Sequence, residues 1–199
     1  MAARVFPGQT PPVLDIRLAG PDDRDRLVRT VVAAFDQDPA FRAFFGSGPE
    51  FGELATRFAG ALLDRRFATG SVWTTDDGDA VAMWDPPQGT VEGPPSTLVL
   101  PPDAEARLDD YDEQVHGAIT AEPHWYLGVL ASHPSRRGEG LARQVLRPGL
   151  ELATEGGLPA VLETTNPDNV ALYERSGWEV TARLDDVIGL TVWVMTHAG

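Results

Sequence analysis

One stretch constrains this chain more than any other: Tyr126-Leu-Gly-Val-Leu-Ala-Ser-His-Pro-Ser-Arg-Arg-Gly-Glu-Gly-Leu-Ala142. It reads as the end of an apolar strand over 124–132 that stops at His133-Pro134. A tight Arg- and Gly-containing loop follows, and then a helix over 140–155. A strand that hands the chain to a helix through so short a loop needs a sheet on which that helix can lie.

The rest of the sequence supplies such a sheet. Strands are expected over 13–18, 71–75, 80–84, 160–165, 178–184 and 191–196. Pro21-Asp22-Asp23 opens a helix whose Leu27, Val28, Val31, Val32 and Phe35 share one face. Further helices are expected over 40–45, 51–67 (ended by Gly70) and 168–176. Asp76-Asp77-Gly78-Asp79 between two short strands is hairpin chemistry. The Pro-rich run 85–102 reads as a loop and 104–120 as an acidic helical insert. Helices and strands interleave, which predicts an α/β (or α+β) sandwich on a mixed sheet. A loose lead-in over 1–12 and a single domain over 13–199 are the expected organisation.

Composition narrows the function. At 199 residues with 42% hydrophobic and 23% charged side chains the chain can bury one core, which argues against disorder. A net charge of −14 disfavours nucleic acid as a partner; it would steer a cationic substrate, but on charge alone solubility is the preferred reading. No apolar run approaches the roughly 20 residues of a membrane helix. The N-terminus has no signal-like apolar stretch, so a cytoplasmic location is expected. With no cysteine, disulfides and thiol nucleophiles are excluded. The four His show no ligand spacing, so no metal is expected.

All 16 basic residues are Arg, and Arg136, Arg137, Arg143 and Arg147 cluster in an otherwise acidic chain. Gly138 and Gly140 allow positive φ and close approach of backbone N–H groups to a ligand. Those groups lie at a helix N-terminus, where unpaired donors and the dipole favour an anion. The guanidinium groups add planar donors suited to phosphate. The loop therefore reads as a pyrophosphate cradle. It lacks the Gly-Lys-Ser/Thr of a Walker loop and the third Gly of a dinucleotide fingerprint, where Arg143 stands.

Arg137-Gly-Glu-Gly140-Leu-Ala142 resembles the Arg/Gln-x-x-Gly-x-Gly/Ala motif of the GNAT acetyltransferases. Glu163-Thr-Thr-Asn166-Pro-Asp-Asn169-Val-Ala-Leu-Tyr173-Glu-Arg-Ser-Gly177-Trp178 is similar to their second motif. The chain looks closest to the branch that acetylates aminonucleoside antibiotics such as puromycin. Ile16-Arg-Leu-Ala, Ala33-Ala-Phe35, Asp76-Asp77-Gly78, Tyr173-Glu174-Arg175 and the locally unfavourable Pro148-Gly149 inside a helix carry that likeness. Glu139 departs from the basic residue common at its position, and the insert 92–122 matches that branch poorly.

The resemblance implies a mostly antiparallel central sheet flanked by helices, in a monomer or homodimer. It also implies acetyl-CoA as cosubstrate and a small-molecule primary amine as acceptor. Arg136, Arg137, Gly138, Glu139, Gly140, Leu141, Ala142 and Arg143 would bind the pyrophosphate. Leu130, Ala131 and Ser132 would lie along the pantetheine arm and offer backbone N–H groups to the thioester oxygen. Tyr173 would protonate the departing thiolate. Asn166 and Asn169 hold the arm or cap the helix that follows, and both readings stand. Glu163 is the candidate base acting through a water, ahead of His116, Glu122 and His124. Trp84 and Tyr126 are candidates for an aromatic acceptor pocket. The alternatives are a protein, peptide or polyamine acetyltransferase and a non-catalytic acetyl-CoA-binding regulator.

Overall fold

The computed structural model describes residues 15–87 and 98–199. The lead-in 1–12, the start of the expected first strand and the first part of the insert lie outside the described residues. The described strands form one seven-stranded sheet in the order β1-β2-β3-β4-β5-β7-β6. These are β1 (Ile16–Leu18), β2 (Val72–Thr75), β3 (Ala80–Asp85), β4 (Trp125–Ser132), β5 (Ala160–Thr164), β6 (Trp178–Val187) and β7 (Leu190–His197). The β4–β5 pair is parallel and the others are antiparallel, so the sheet is mixed and mostly antiparallel.

Helices cover both faces. On one lie α1 (Arg24–Ala34), α2 (Pro39–Phe45), α3 (Phe51–Thr69) and α4 (Pro102–Ala118). Leu27, Val31, Phe41, Phe44, Phe45 and Leu63 from these helices pack with Val81, Met83, Val129 and Ala131 of the sheet. Local chemistry sets the helix ends. Asp38 accepts hydrogen bonds from the N–H groups of Ala40 (2.9 Å) and Phe41 (3.1 Å), with Pro39 in the first turn of α2. Gly70 stops α3 in the left-handed conformation, φ 61°.

The other face carries α5 (Leu141–Glu155), with α6 (Pro167–Glu174) near Trp178. Leu141, Val145, Leu146 and Ala153 of α5 form a second core with Ala80, Ala82, Trp84, Leu127, Leu162 and Met195. The odd Pro148-Gly149 pair has a packing reason here. A Cβ on residue 149 would sit 2.2 Å from Cε2 of Trp84, so the indole lies directly against the helix backbone.

β4 contains a bulge. Met83 pairs with Val129 and Trp84 with Leu127, which leaves Gly128 as the extra residue. The bulge reverses the alternation of side chains: Leu127 belongs to the α5 core, whereas Val129 and Ala131 belong to the core under α1–α4. β6 and β7 run further than the sequence pattern predicts, to a turn at Ile188-Gly189 with φ of 47° and 82°. Val187 is buried there, so tertiary packing extends the strand.

A candidate active site where two strands part

β4 and β5 are joined by three register pairs, Trp125–Ala160, Tyr126–Val161 and Leu127–Leu162. Beyond them the strands separate. β4 continues beside β3 to Ser132, and β5 beside β7 to Thr164. A cavity of about 240 Å³ opens at this parting, walled by Gly128–Leu130 of β4, Leu162–Thr165 at the end of β5, and side chains from α2, α3, α4 and α6.

Glu163 stands in that wall and accepts a hydrogen bond of 2.5 Å from the Tyr126 hydroxyl. Burial pushes its carboxyl up from 4.5 to about 7, against the lowering effects of the Tyr126 bond and of His116. A carboxylate poised near neutrality is suited to take a proton from an amine. The Tyr126 hydroxyl is held well above its usual pKa, by burial first and by the Glu163 charge next, so it remains a donor. Tyr173 also lines the cavity, one helical turn after Asn169. Its ring meets Trp178 edge-on at 5.8 Å, and its hydroxyl bonds to none of the described residues. Burial and then the Glu163 charge raise its pKa, which keeps it protonated and able to act as an acid.

The cavity floor holds a further charged group. Arg66, 2% exposed, reaches Asp85 at 2.5 Å, and Arg65 bonds the same carboxylate at 3.0 and 3.1 Å. Arg66 also donates to the Leu62 carbonyl oxygen at 3.3 Å, while its buried Nε has no hydrogen-bond partner among the described residues. A Cβ at the bulge would meet Nη2 of Arg66 at 2.4 Å, so Gly128 leaves room for this guanidinium.

At the other end of β4 the loop has open backbone donors. Gly138 and Gly140 have φ of 87° and 73°, and no atom lies within 4 Å of a Cβ built on either. The first α5 amide bonded to a carbonyl is that of Gln144, on Gly140 at 3.3 Å, and no side chain caps the helix. The N–H groups of Gly138, Gly140, Leu141, Ala142 and Arg143 thus have no acceptor among the described residues. Arg137 and Arg143 are exposed and pair with no described carboxylate. Arg136 differs. Its guanidinium bonds Glu139 (2.9 and 3.0 Å), Asp77 (3.0 Å) and Asp79 (2.5 Å), which ties the loop to the β2–β3 turn. The acidic side chain at position 139 is therefore occupied by its neighbour.

The structure gathers Glu163, Tyr126, Tyr173, Asn169 and Leu130 around one cavity. Ala131 and Ser132 continue the same strand, and the 136–143 stretch caps α5. Asn166 is the N-cap of α6, its Oδ1 accepting from the Asp168 N–H at 3.0 Å. Trp84 requires a correction as a pocket residue. It is fully buried on the opposite face, beneath α5, and does not line the cavity. An aromatic on a central strand is core unless its alternation points to the cleft, and its partner Leu127 precedes the bulge. The sequence reading missed Asp112, Tyr111, Phe41, Phe44 and Phe58 in the cavity wall. The helical period alone marks those Phe as core; Asp112 is one acid among several on α4.

Among the described residues no cluster of three or more His, Cys, Asp or Glu could hold a metal ion, and no helix is long and apolar enough to cross a membrane.

Three solved structures share this architecture. A histone acetyltransferase HPA2 and related acetyltransferase from Corynebacterium glutamicum is 21% identical, with a TM-score of 0.67 over 94% of this chain and 97% of that one. Arylalkylamine N-acetyltransferase 2 from Aedes aegypti is 14% identical, TM-score 0.62, over 94% and 99%. The PaiA N-acetyltransferase from Thermoplasma acidophilum, solved in complex with coenzyme A, is 11% identical, TM-score 0.58, over 94% and 99%. Residues 53–178 match the Acetyltransferase (GNAT) family, a span from α3 through the 136–143 loop to Trp178, and the chain belongs to that family of acetyl-CoA-dependent acetyltransferases.

Proposed function

We propose that the acceptor is the primary amine of a small molecule, with an aminonucleoside antibiotic such as puromycin the first candidate. The observation that carries this reading is the cavity at the parting of β4 and β5. It is about 240 Å³ and walled by helices, with a carboxyl near neutrality and a protonated phenol on its lining. A recess of that size suits a small amine better than a protein segment. The aromatic lining and the local sequence likeness described above support the antibiotic.

In the proposed reaction the acceptor enters as an ammonium ion. Glu163, directly or through a water, takes one of its protons. The freed nitrogen lone pair attacks the thioester carbonyl carbon. The C=O electron pair moves to oxygen, and the backbone N–H groups of the Leu130–Ser132 segment supply donors for that oxyanion. Collapse re-forms the carbonyl and breaks the C–S bond, and the nitrogen, cationic since the attack, gives its second proton to solvent, as Glu163 does with the proton it took. Tyr173 gives its proton to the leaving thiolate and regains one from solvent. Arg137, Arg143 and the loop amides hold the pyrophosphate. The net change is transfer of acetyl from sulfur to nitrogen with release of one proton. An α-amine, with a pKa of about 7.7–8.0, demands less of Glu163 than a lysine-like amine near 10.4.

The test is thiol release from acetyl-CoA with puromycin and a panel of amines. Release with puromycin is the expected outcome. Release only with polyamines or a peptide would move the acceptor to another class, and silence across the panel with acetyl-CoA still bound would overturn the acetyl-transfer reading for these acceptors.

A further inference from the structure

Four carboxylates line the cavity: Asp38, Asp85, Asp112 and Glu163. Two are occupied. Asp85 is bonded by Arg65 and Arg66, and Asp38 accepts two amides at the start of α2. Glu163 holds only the Tyr126 hydroxyl, and Asp112 makes no side-chain hydrogen bond to a described residue. Asp112 and Glu163 belong to one corner. His116, one turn after Asp112, bonds the Asp112 carbonyl oxygen at 2.8 Å through Nδ1, and its ring lies 6.1 Å from that of Tyr126. Tyr126 in turn holds Glu163. Phe35, Phe41, Phe44, Phe58 and Tyr111 also line the cavity, with neighbouring rings 4.6–6.3 Å apart. The cavity thus has an anionic corner and an aromatic wall.

We propose that Asp112 receives the acceptor's ammonium group, and that the site selects aryl-bearing amines with no carboxylate beside the nitrogen. The proposal rests on the acetyl-transfer reading of the same cavity. The two carboxylates have separate tasks. Asp112, at the mouth, attracts and orients the cation, and Glu163, deeper, removes the proton. A free carboxylate on the carbon bearing the amine would enter between them as a third negative charge. Like charges in one corner are strongly disfavoured; Arg66 is held by Asp85, and Arg65 bonds the same carboxylate through Nη2. An amide at the same position brings no charge.

The experiment compares L-phenylalaninamide, L-phenylalanine and spermidine as acceptors for the full chain, with D112N alongside. The amide is expected to exceed the free acid in kcat/KM by about 50-fold, and to exceed spermidine as well. D112N should raise KM for the amide on the order of tenfold, leave KM for acetyl-CoA unchanged and narrow the gap between amide and acid. Equal rates for amide and acid overturn the proposal from the unsubstituted protein alone. An amine KM unmoved by D112N overturns the role of Asp112. Acetylation of spermidine with neither aryl compound rejects the substrate class while acetyl transfer stands; no transfer to any of the three sinks both readings.

Discussion

The 136–143 loop draws its chemistry from one unbroken stretch of chain, whereas the cavity beside Glu163 is assembled from side chains scattered between Phe35 and Tyr173. The loop offers main-chain N–H groups, presented by two positive-φ glycines and a helix start. Within it, Arg137 and Arg143 add side-chain charge that is not paired with a described carboxylate. The cavity offers side chains whose properties come from burial. Glu163 is an ordinary carboxyl until the fold encloses it. A backbone device tolerates the loss of a side chain; a burial device does not.

Substitutions can break this comparison. Glu163→Gln should have the largest effect, lowering kcat/KM by about 10³-fold while leaving KM for acetyl-CoA unchanged. In the unsubstituted enzyme activity should rise through about pH 7 as the carboxyl ionises, and that limb should vanish in the variant. The same variant reports on stability. The pKa of Glu163 is raised from 4.5 to about 7 in the folded state, so its contribution to stability is full below pH 4.5 and is lost as pH rises through 7. Glu163→Gln should therefore raise Tm at pH 8 and leave it unchanged at pH 4, with roughly 3 kcal/mol as the ceiling. A fall in activity below tenfold would place the base elsewhere.

Tyr173→Phe comes next, with a loss of about 10²-fold in kcat measured by steady-state thiol release, and acetyl-CoA affinity unchanged by calorimetry. An unchanged kcat would remove the acid role.

On the loop side the effects should be smaller and sensitive to salt. Replacing Arg137 and Arg143 together by Ala should raise KM for acetyl-CoA on the order of tenfold at low ionic strength, and less at high salt. Arg136→Gln acts differently, because its partners are Asp77, Asp79 and Glu139. It should loosen the loop and raise the same KM by only about threefold, with little dependence on salt. A salt-sensitive loss for Arg136 equal to that of the pair would mean that all three guanidinium groups meet phosphate. The smallest effect on turnover belongs to Gly149→Ala. The new methyl must push on Trp84, so stability should fall by about 1–3 kcal/mol in thermal unfolding, with kcat unaltered.

The same contrast explains what could be read from the sequence. The strand–loop–helix unit, the hairpin at Asp76–Asp79 and most elements were legible to within a few residues, because their signals are local. The placement of Glu163 and Tyr173 on one cavity was reached through the motif around them. The aromatic wall was not legible, since Phe35, Phe41, Phe44 and Phe58 carry the helical spacing of any core. Nor was the fate of Arg136: its carboxylates lie 57 and 59 residues away on a turn that only the folded sheet brings near. Trp84 shows the same limit, because which face of a strand a residue occupies depends on a bulge that no composition rule announces.

The extra residue at Gly128 acts like a frameshift in the strand. Upstream of it the even-numbered Tyr126 faces the cavity; downstream the odd-numbered Val129 and Ala131 lie on that same side, in the core under α1–α4. The two halves of β4 therefore run in opposite parity, yet Tyr126, Gly128, Val129 and Leu130 all line one cavity. Deleting Gly128 would leave Tyr126, Val129 and Ala131 on one side in plain alternation, but it would remove the position without a Cβ against which the Arg66 guanidinium lies.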